Sequence, residues 1–120
     1  MTMPEFKQLV DEVKKDVNEI GPDELESMKQ QGAAIIDVRE REDSMNGTIP
    51  DAVAIPRGVL ELKIDQVTTD KDRPIVLYCG GGSRSALAAF MLQKMGFSKV
   101  FSLAGGYRGW KEFAGKQEEL

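Results

Sequence analysis

The residues best suited to chemistry in this chain are consecutive: Tyr78-Cys79-Gly80-Gly81-Gly82-Ser83-Arg84-Ser85. Cys79 is the only cysteine, and it stands directly before three glycines. Consecutive glycines are costly to order and pack nothing, so a core has little use for them behind a thiol. They suit a loop whose backbone N–H groups turn toward one point. Pro74 and Ile75-Val76-Leu77 before the loop predict a short buried strand, and Ala86 to Met95 after it predicts a helix. Unpaired amides and a helix dipole then converge on an anion site. A thiol in that setting loses its proton readily, so Cys79 is the expected nucleophile, cradled by Gly80, Gly81, Gly82, Ser83, Arg84 and Ser85. The plainer alternatives are a small buried hydrophobe for the cysteine and a flexible turn for the glycines. Their adjacency favours the chemical reading.

The rest of the composition narrows the chemistry. At 120 residues the chain is expected to form a single domain around one core. Hydrophobic residues make up 41% and charged ones 30%, the balance of a soluble domain, and no apolar run approaches a membrane span. Met1-Thr2-Met3-Pro4-Glu5 has no signal-peptide character, so the expected location is the cytoplasm. A single cysteine excludes an internal disulfide, and the absence of histidine excludes a Cys/His pair and a conventional zinc site. No metal and no cofactor are expected. The net charge of −4 is unevenly spread: Arg73, Arg84, Lys94, Lys99 and Arg108 lie in a stretch that has no Asp or Glu before Trp110. That positive third suits a small anionic substrate. Nucleic acid is not an expected partner, since the chain is acidic and has no basic stripe with interleaved aromatics.

Several elements must position the loop. Phe6, Leu9, Val10 and Val13 fall at helical spacing and predict an amphipathic helix that packs on the domain, with docking of a partner as the other use. Val17–Ile20 is a strand candidate; Pro22 with acidic neighbours begins a helix that ends near Gly32. Ala33 to Ile36 predicts a buried strand leading into Asp37-Val38-Arg39. Strand carboxyl ends line the ligand crevice of a parallel sheet, so Asp37 and Arg39 are supporting candidates, with a loop-ordering ion pair as the favoured role. Ala52 to Ile55 is a further strand, and Leu60, Ile64 and Val67 share a helical face. Val100 to Leu103 reads as the last strand. Ala104-Gly105-Gly106 then turns into a helix with Tyr107, Trp110 and Phe113, in which Trp110 either flanks the pocket or simply packs. Strands alternating with helices predict an α/β fold, a doubly wound and mainly parallel central sheet of about five strands with helices on both faces. The expected organisation is an N-terminal helical extension at 1–18, a domain at 19–116 and a frayed tail at 117–120.

The ordered pieces Ile36-Asp37-Val38-Arg39-Glu40, Gly47-Thr48-Ile49-Pro50 with Ala54-Ile55-Pro56, Cys79 to Arg84, and Leu103-Ala104-Gly105-Gly106 with Trp110 resemble the rhodanese family in its single-domain form. The resemblance runs from about Ile20 to Phe113. It implies that Cys79 takes the outer sulfur of a donor such as thiosulfate, holds it as a persulfide and passes it to cyanide, a thiol or a protein acceptor. Persulfide formation needs a thiolate and no general base, which fits a chain without histidine. Inward amides from Gly80 to Ser85 would stabilise the anionic persulfide, with Arg84 steering the donor or shaping the loop. The chain departs from the family pattern at Thr48, at Asp51, and at Gly80, where a basic residue often follows the cysteine. Nothing in the sequence requires more than a monomer.

Two other function classes share the motif. A cysteine phosphatase or arsenate reductase also places a thiolate in an anion loop closed by arginine. The spacing from Cys79 to Arg84 is one residue shorter than that signature, and neither a loop acid nor a second cysteine is present. A rhodanese-like binding or sulfur-carrier module is the non-enzymatic alternative.

Overall fold

The computed structural model describes residues 5–118, and these form one five-stranded sheet flanked by helices. The strands are β1 (Asn18–Ile20), β2 (Ala34–Asp37), β3 (Val53–Ala54), β4 (Ile75–Tyr78) and β5 (Val100–Leu103). The helices are α1 (Phe6–Lys14), α2 (Leu25–Gln30), α3 (Arg41–Met45), α4 (Leu60–Lys63), α5 (Ser83–Lys94) and α6 (Gly106–Glu118). The order across the sheet is β1-β5-β4-β2-β3, and every pairing is parallel. β4 lies at the centre, so its two faces must both be apolar, which is why its sequence is a continuous hydrophobic run.

Alternation along the strands sorts the side chains into two cores. Ile75, Leu77 and Cys79 turn to one face with Ile36, Val38 and Val100, where Leu60 of α4 and Ala88, Ala89 and Leu92 of α5 cover them. Val76 and Tyr78 turn to the other with Ile20, Ile35 and Leu103, under Leu25 of α2 and Tyr107 and Trp110 of α6. The alanines on α5 let that helix lie close to the sheet. The doubly wound architecture expected from the sequence is the one observed.

The details differ from the sequence reading at several places. Residues Ser83 to Ser85 form the first turn of α5 instead of part of the loop, because the left-handed Gly82 (φ 105°) ends the turn and starts the helix there. β3 has two residues, since Pro56 and the following 3-10 turn end the pairing. α1 packs against α5 through buried Val10 and half-buried Val13, but Phe6 and Leu9 from the same predicted face remain exposed. α6 extends through Gln117 to Glu118; residues 1–4 and 119–120, parts of the expected extension and tail, lie outside the described residues. Asn18 already pairs with Phe101, so the sheet begins inside the segment assigned to the extension.

Candidate active site

The thiol is placed by the strand that carries it. Cys79 directly follows β4, so its side chain continues the row of Ile75 and Leu77 toward α5, and the chain must turn sharply to enter that helix. Gly82 makes the turn. Three protein groups thereby reach Sγ: the Gly82 N–H at 3.1 Å, the Ser85 N–H at 3.4 Å and the Ser85 hydroxyl at 3.6 Å. Burial alone would push the Cys79 thiol up, but the Ser85 hydroxyl and the amides of Ser85, Gly82 and Gly81 outweigh it and leave the thiol below its ordinary value. Cys79 is only 1% exposed and touches the apolar cluster beside α5. Its sulfur nevertheless meets amide donors and a hydroxyl, which is not the environment of an inert core thiol. The larger grooves lie elsewhere, one of about 610 Å³ between Lys29, Val53 and Arg73.

Two contributions absent from the sequence reading of the site complete it. Ser102 of β5 is fully buried, and its hydroxyl lies 2.8 Å from that of Ser85, so the sulfur is linked through Ser85 to the neighbouring strand. The N-terminus of α6 is the second contribution. The Tyr107 N–H donates to the Cys79 carbonyl at 2.8 Å, and the Arg108 N–H to that of Gly80 at 3.2 Å. Gly106 permits this approach: a Cβ there would stand 2.5 Å from the Cys79 oxygen and 2.7 Å from the Gly80 carbonyl. The Gly105-Gly106 pair at the head of a helix was the available signal for a close approach.

Of the supporting candidates, Asp37 and Arg39 lie at the end of β2 beside Tyr78, and Trp110 lies elsewhere. Asp37 accepts bonds from Arg39 Nε and Nη2, the nearest at 2.8 Å, and from the Arg39 N–H, the Ser44 hydroxyl and the Tyr78 hydroxyl. Arg39 also donates to the Gly47 carbonyl at 2.6 Å and lies 4.1 Å from the centre of the Tyr107 ring. Burial pushes the Asp37 carboxyl up, yet Arg39 and Tyr78 hold it below the usual range. The pair fastens the loop after β2 and does not reach Sγ. Trp110 stacks on Tyr107 at 5.8 Å and lines a shallow depression with Leu25, Ile49 and Phe113, rather than the sulfur cradle. Arg84, in the first turn of α5, is half-buried beside Gly80.

A thiol whose ionised form is stabilised by amides and a hydroxyl, in a turn between a central parallel strand and a helix, is the arrangement to set against known proteins. The sequence pattern of the rhodanese-like domain matches residues 21–113. The chain belongs to the rhodanese family. Among its relatives, the thiosulfate sulfurtransferase GlpE of Pseudomonas savastanoi is 34% identical over 92 residues, 77% of this chain and 85% of that protein. The human single-domain sulfurtransferase TSTD1 superposes with a TM-score of 0.72 at 28% identity, covering 80% of this chain and 96% of its own. A protein of unknown function from Rhodopseudomonas palustris, described as a possible tyrosine phosphatase, superposes with a TM-score of 0.79 at 30% identity, covering 95% and 94%. The first two of these relatives are named as sulfurtransferases. No helix among the described residues is long and apolar enough to cross a membrane.

Proposed function

We propose that this rhodanese moves sulfane sulfur from a small anionic donor such as thiosulfate to a thiophilic acceptor through a persulfide on Cys79. The observation that carries the reading is the ring of donors around Sγ, which favours the thiolate without any base. In the first half-reaction the Cys79 thiolate attacks the outer sulfur of thiosulfate. The new S–S bond forms as the bond to the sulfite sulfur breaks, and sulfite leaves with the electron pair. The persulfide carries one negative charge on its outer sulfur, which the glycine turn and the first turn of α5 would hold through their amides. In the second, cyanide in vitro or a thiol in the cell attacks that outer sulfur, and the thiolate of Cys79 is released. A similar Bacillus subtilis protein is described as a putative sulfur carrier, which supports a protein as acceptor. The working form is a monomer in the cytoplasm, with Cys79, the turn from Gly80 to Gly82 and the first turn of α5 from Ser83 to Ser85 as the site.

The phosphatase description of the Rhodopseudomonas palustris protein raises the other thiolate chemistry. That chemistry needs an acid to protonate the leaving alcohol. No Asp or Glu occurs from Pro74 to Trp110, and the nearby Asp37 carboxylate is engaged by Arg39, Ser44 and Tyr78. The test is an assay of thiocyanate formation from thiosulfate and cyanide, run beside hydrolysis of a generic phosphate ester. Thiocyanate is expected from the wild type, none from a folded Cys79→Ala variant, and no ester hydrolysis from either. Undiminished thiocyanate formation by Cys79→Ala would remove the persulfide from the mechanism.

A further inference from the structure

Arg108, in the first turn of α6, reaches back over the thiol loop. Its Nε donates to the Gly80 carbonyl at 3.2 Å, the same oxygen that accepts from its backbone N–H. Held twice by one carbonyl, the exposed side chain is directed across Gly81, and its guanidinium occupies the space in which a Cβ on that residue would stand. Gly81 is not among the glycines with positive φ. Arg108 therefore lies directly on Gly81, and a side chain there would displace the exposed guanidinium from that position.

Gly81 lies between Gly80, whose carbonyl holds Arg108, and Gly82, whose amide donates to the Cys79 sulfur, so Arg108 lies on the same short turn that carries the thiol. Arg84 flanks the neighbouring position, with its Nη2 3.8 Å from where a Cβ on Gly80 would stand. Among the described residues neither arginine pairs with a carboxylate. Two cations beside adjacent glycines, neither paired with a carboxylate, leave the turn positively charged, and that favours an anionic reagent at the thiol. Guanidinium groups present several N–H donors in one plane, a shape matched to sulfonate-like oxygens.

We propose that Arg108 is a donor-binding residue which, together with Arg84, holds the anionic end of the sulfur donor over Cys79 and selects anionic reagents over neutral ones. This inference rests on the sulfurtransferase reading above. It assigns recognition of the donor to α6, a segment remote in sequence from the cysteine loop.

Alkylation of Cys79 by iodoacetate and by iodoacetamide tests it, because the reagents differ in charge far more than in size. With both, the thiolate forms an S–C bond as the C–I bond breaks and iodide departs. The ratio of the two rates, followed by intact-protein mass, cancels any change in the thiol's own reactivity. Arg108→Gln is expected to lower the iodoacetate-to-iodoacetamide ratio about five-fold, the size of one exposed charge interaction, and Arg108→Lys to recover part of it. The KM for thiosulfate should rise by a similar factor, with a smaller change in kcat. An unchanged ratio in Arg108→Gln would overturn the proposal, even if the protein transfers sulfur normally. A wild type that fails to use thiosulfate would instead reject the sulfurtransferase reading, and the ratio would still decide whether Arg108 attracts anions to this thiol.

Discussion

Strands β2 and β4 run side by side in register, with Asp37 opposite Tyr78, and each delivers a reactive-looking group to the same edge of the sheet. The two ends are built differently. At the end of β2 a full negative charge meets a full positive one, and hydroxyls and a carbonyl take up what remains of Asp37 and Arg39. At the end of β4 the thiol meets only dipoles, while the full charges nearby, Arg84 and Arg108, have no carboxylate among the described residues. The first arrangement is closed and resists any added ligand. The second leaves positive charge uncompensated, so an anion improves it. Proximity to the crevice therefore does not mark a residue as chemical; the state of its partners does.

The largest effect that would break this contrast is at the closed end. Asp37→Ala strands a buried arginine and should cost roughly 3–5 kcal/mol in denaturant unfolding, since removing one member of a buried pair leaves the other uncompensated. A loss below about 1 kcal/mol would show that the pair is not structural. The pH dependence follows with its sign. The Asp37 carboxyl is held down in the folded state, so the unfolded chain takes up its proton first on acidification. Its contribution is complete above the unfolded value of about 3.9 and is lost as the pH falls below that, through the folded value.

Next comes the packing that joins α6 to the cysteine loop. Gly106 has φ 58° and backbone atoms 2.5 to 2.7 Å from any added Cβ. Gly106→Ala should destabilise by about 1–3 kcal/mol and also reduce sulfur transfer, because relieving the clash displaces the Cys79 and Gly80 carbonyls. Wild-type thermal stability in that variant would show that the approach is looser than described. A change of similar size is expected at Ser85. Ser85→Ala removes the hydroxyl nearest the sulfur and leaves buried Ser102 without its partner, costing about 1–3 kcal/mol. In an ultraviolet thiolate titration the Cys79 midpoint should move up; an unmoved midpoint would reduce Ser85 to a packing role. The smallest is at Asp51, the one non-glycine with positive φ among the described residues. Asp51→Gly should raise stability by up to about 1 kcal/mol without affecting sulfur transfer, despite losing its 3.3 Å pairing with Lys29.

Much of this was legible in the sequence, for physical reasons that also set its limits. Ile75 to Leu77, Ile35-Ile36 and Val100 to Leu103 announce buried strands because a parallel sheet covered on both faces admits little else. The cysteine and its glycines announce a loop because no core would order them. The start of α5 at Ser83 was not legible from periodicity, since its first turn is polar and serves the sulfur instead of the core. Ser102 and Arg108 were missed because their relation to Cys79 is made by the packing of β5 and α6, not by spacing along the chain. Phe6 and Leu9 show the converse error: helical spacing gave α1 correctly, but periodicity does not say how much of an apolar face finds a cover.

The central claim is that Cys79 accepts and holds a sulfur atom as a thiolate nucleophile. Intact-protein mass spectrometry after mixing with thiosulfate measures this directly. The expected result is a single added sulfur on the wild type, removed by cyanide and absent from Cys79→Ala. An unchanged mass under conditions where thiocyanate is being produced, or an added sulfur that persists in Cys79→Ala, would contradict it.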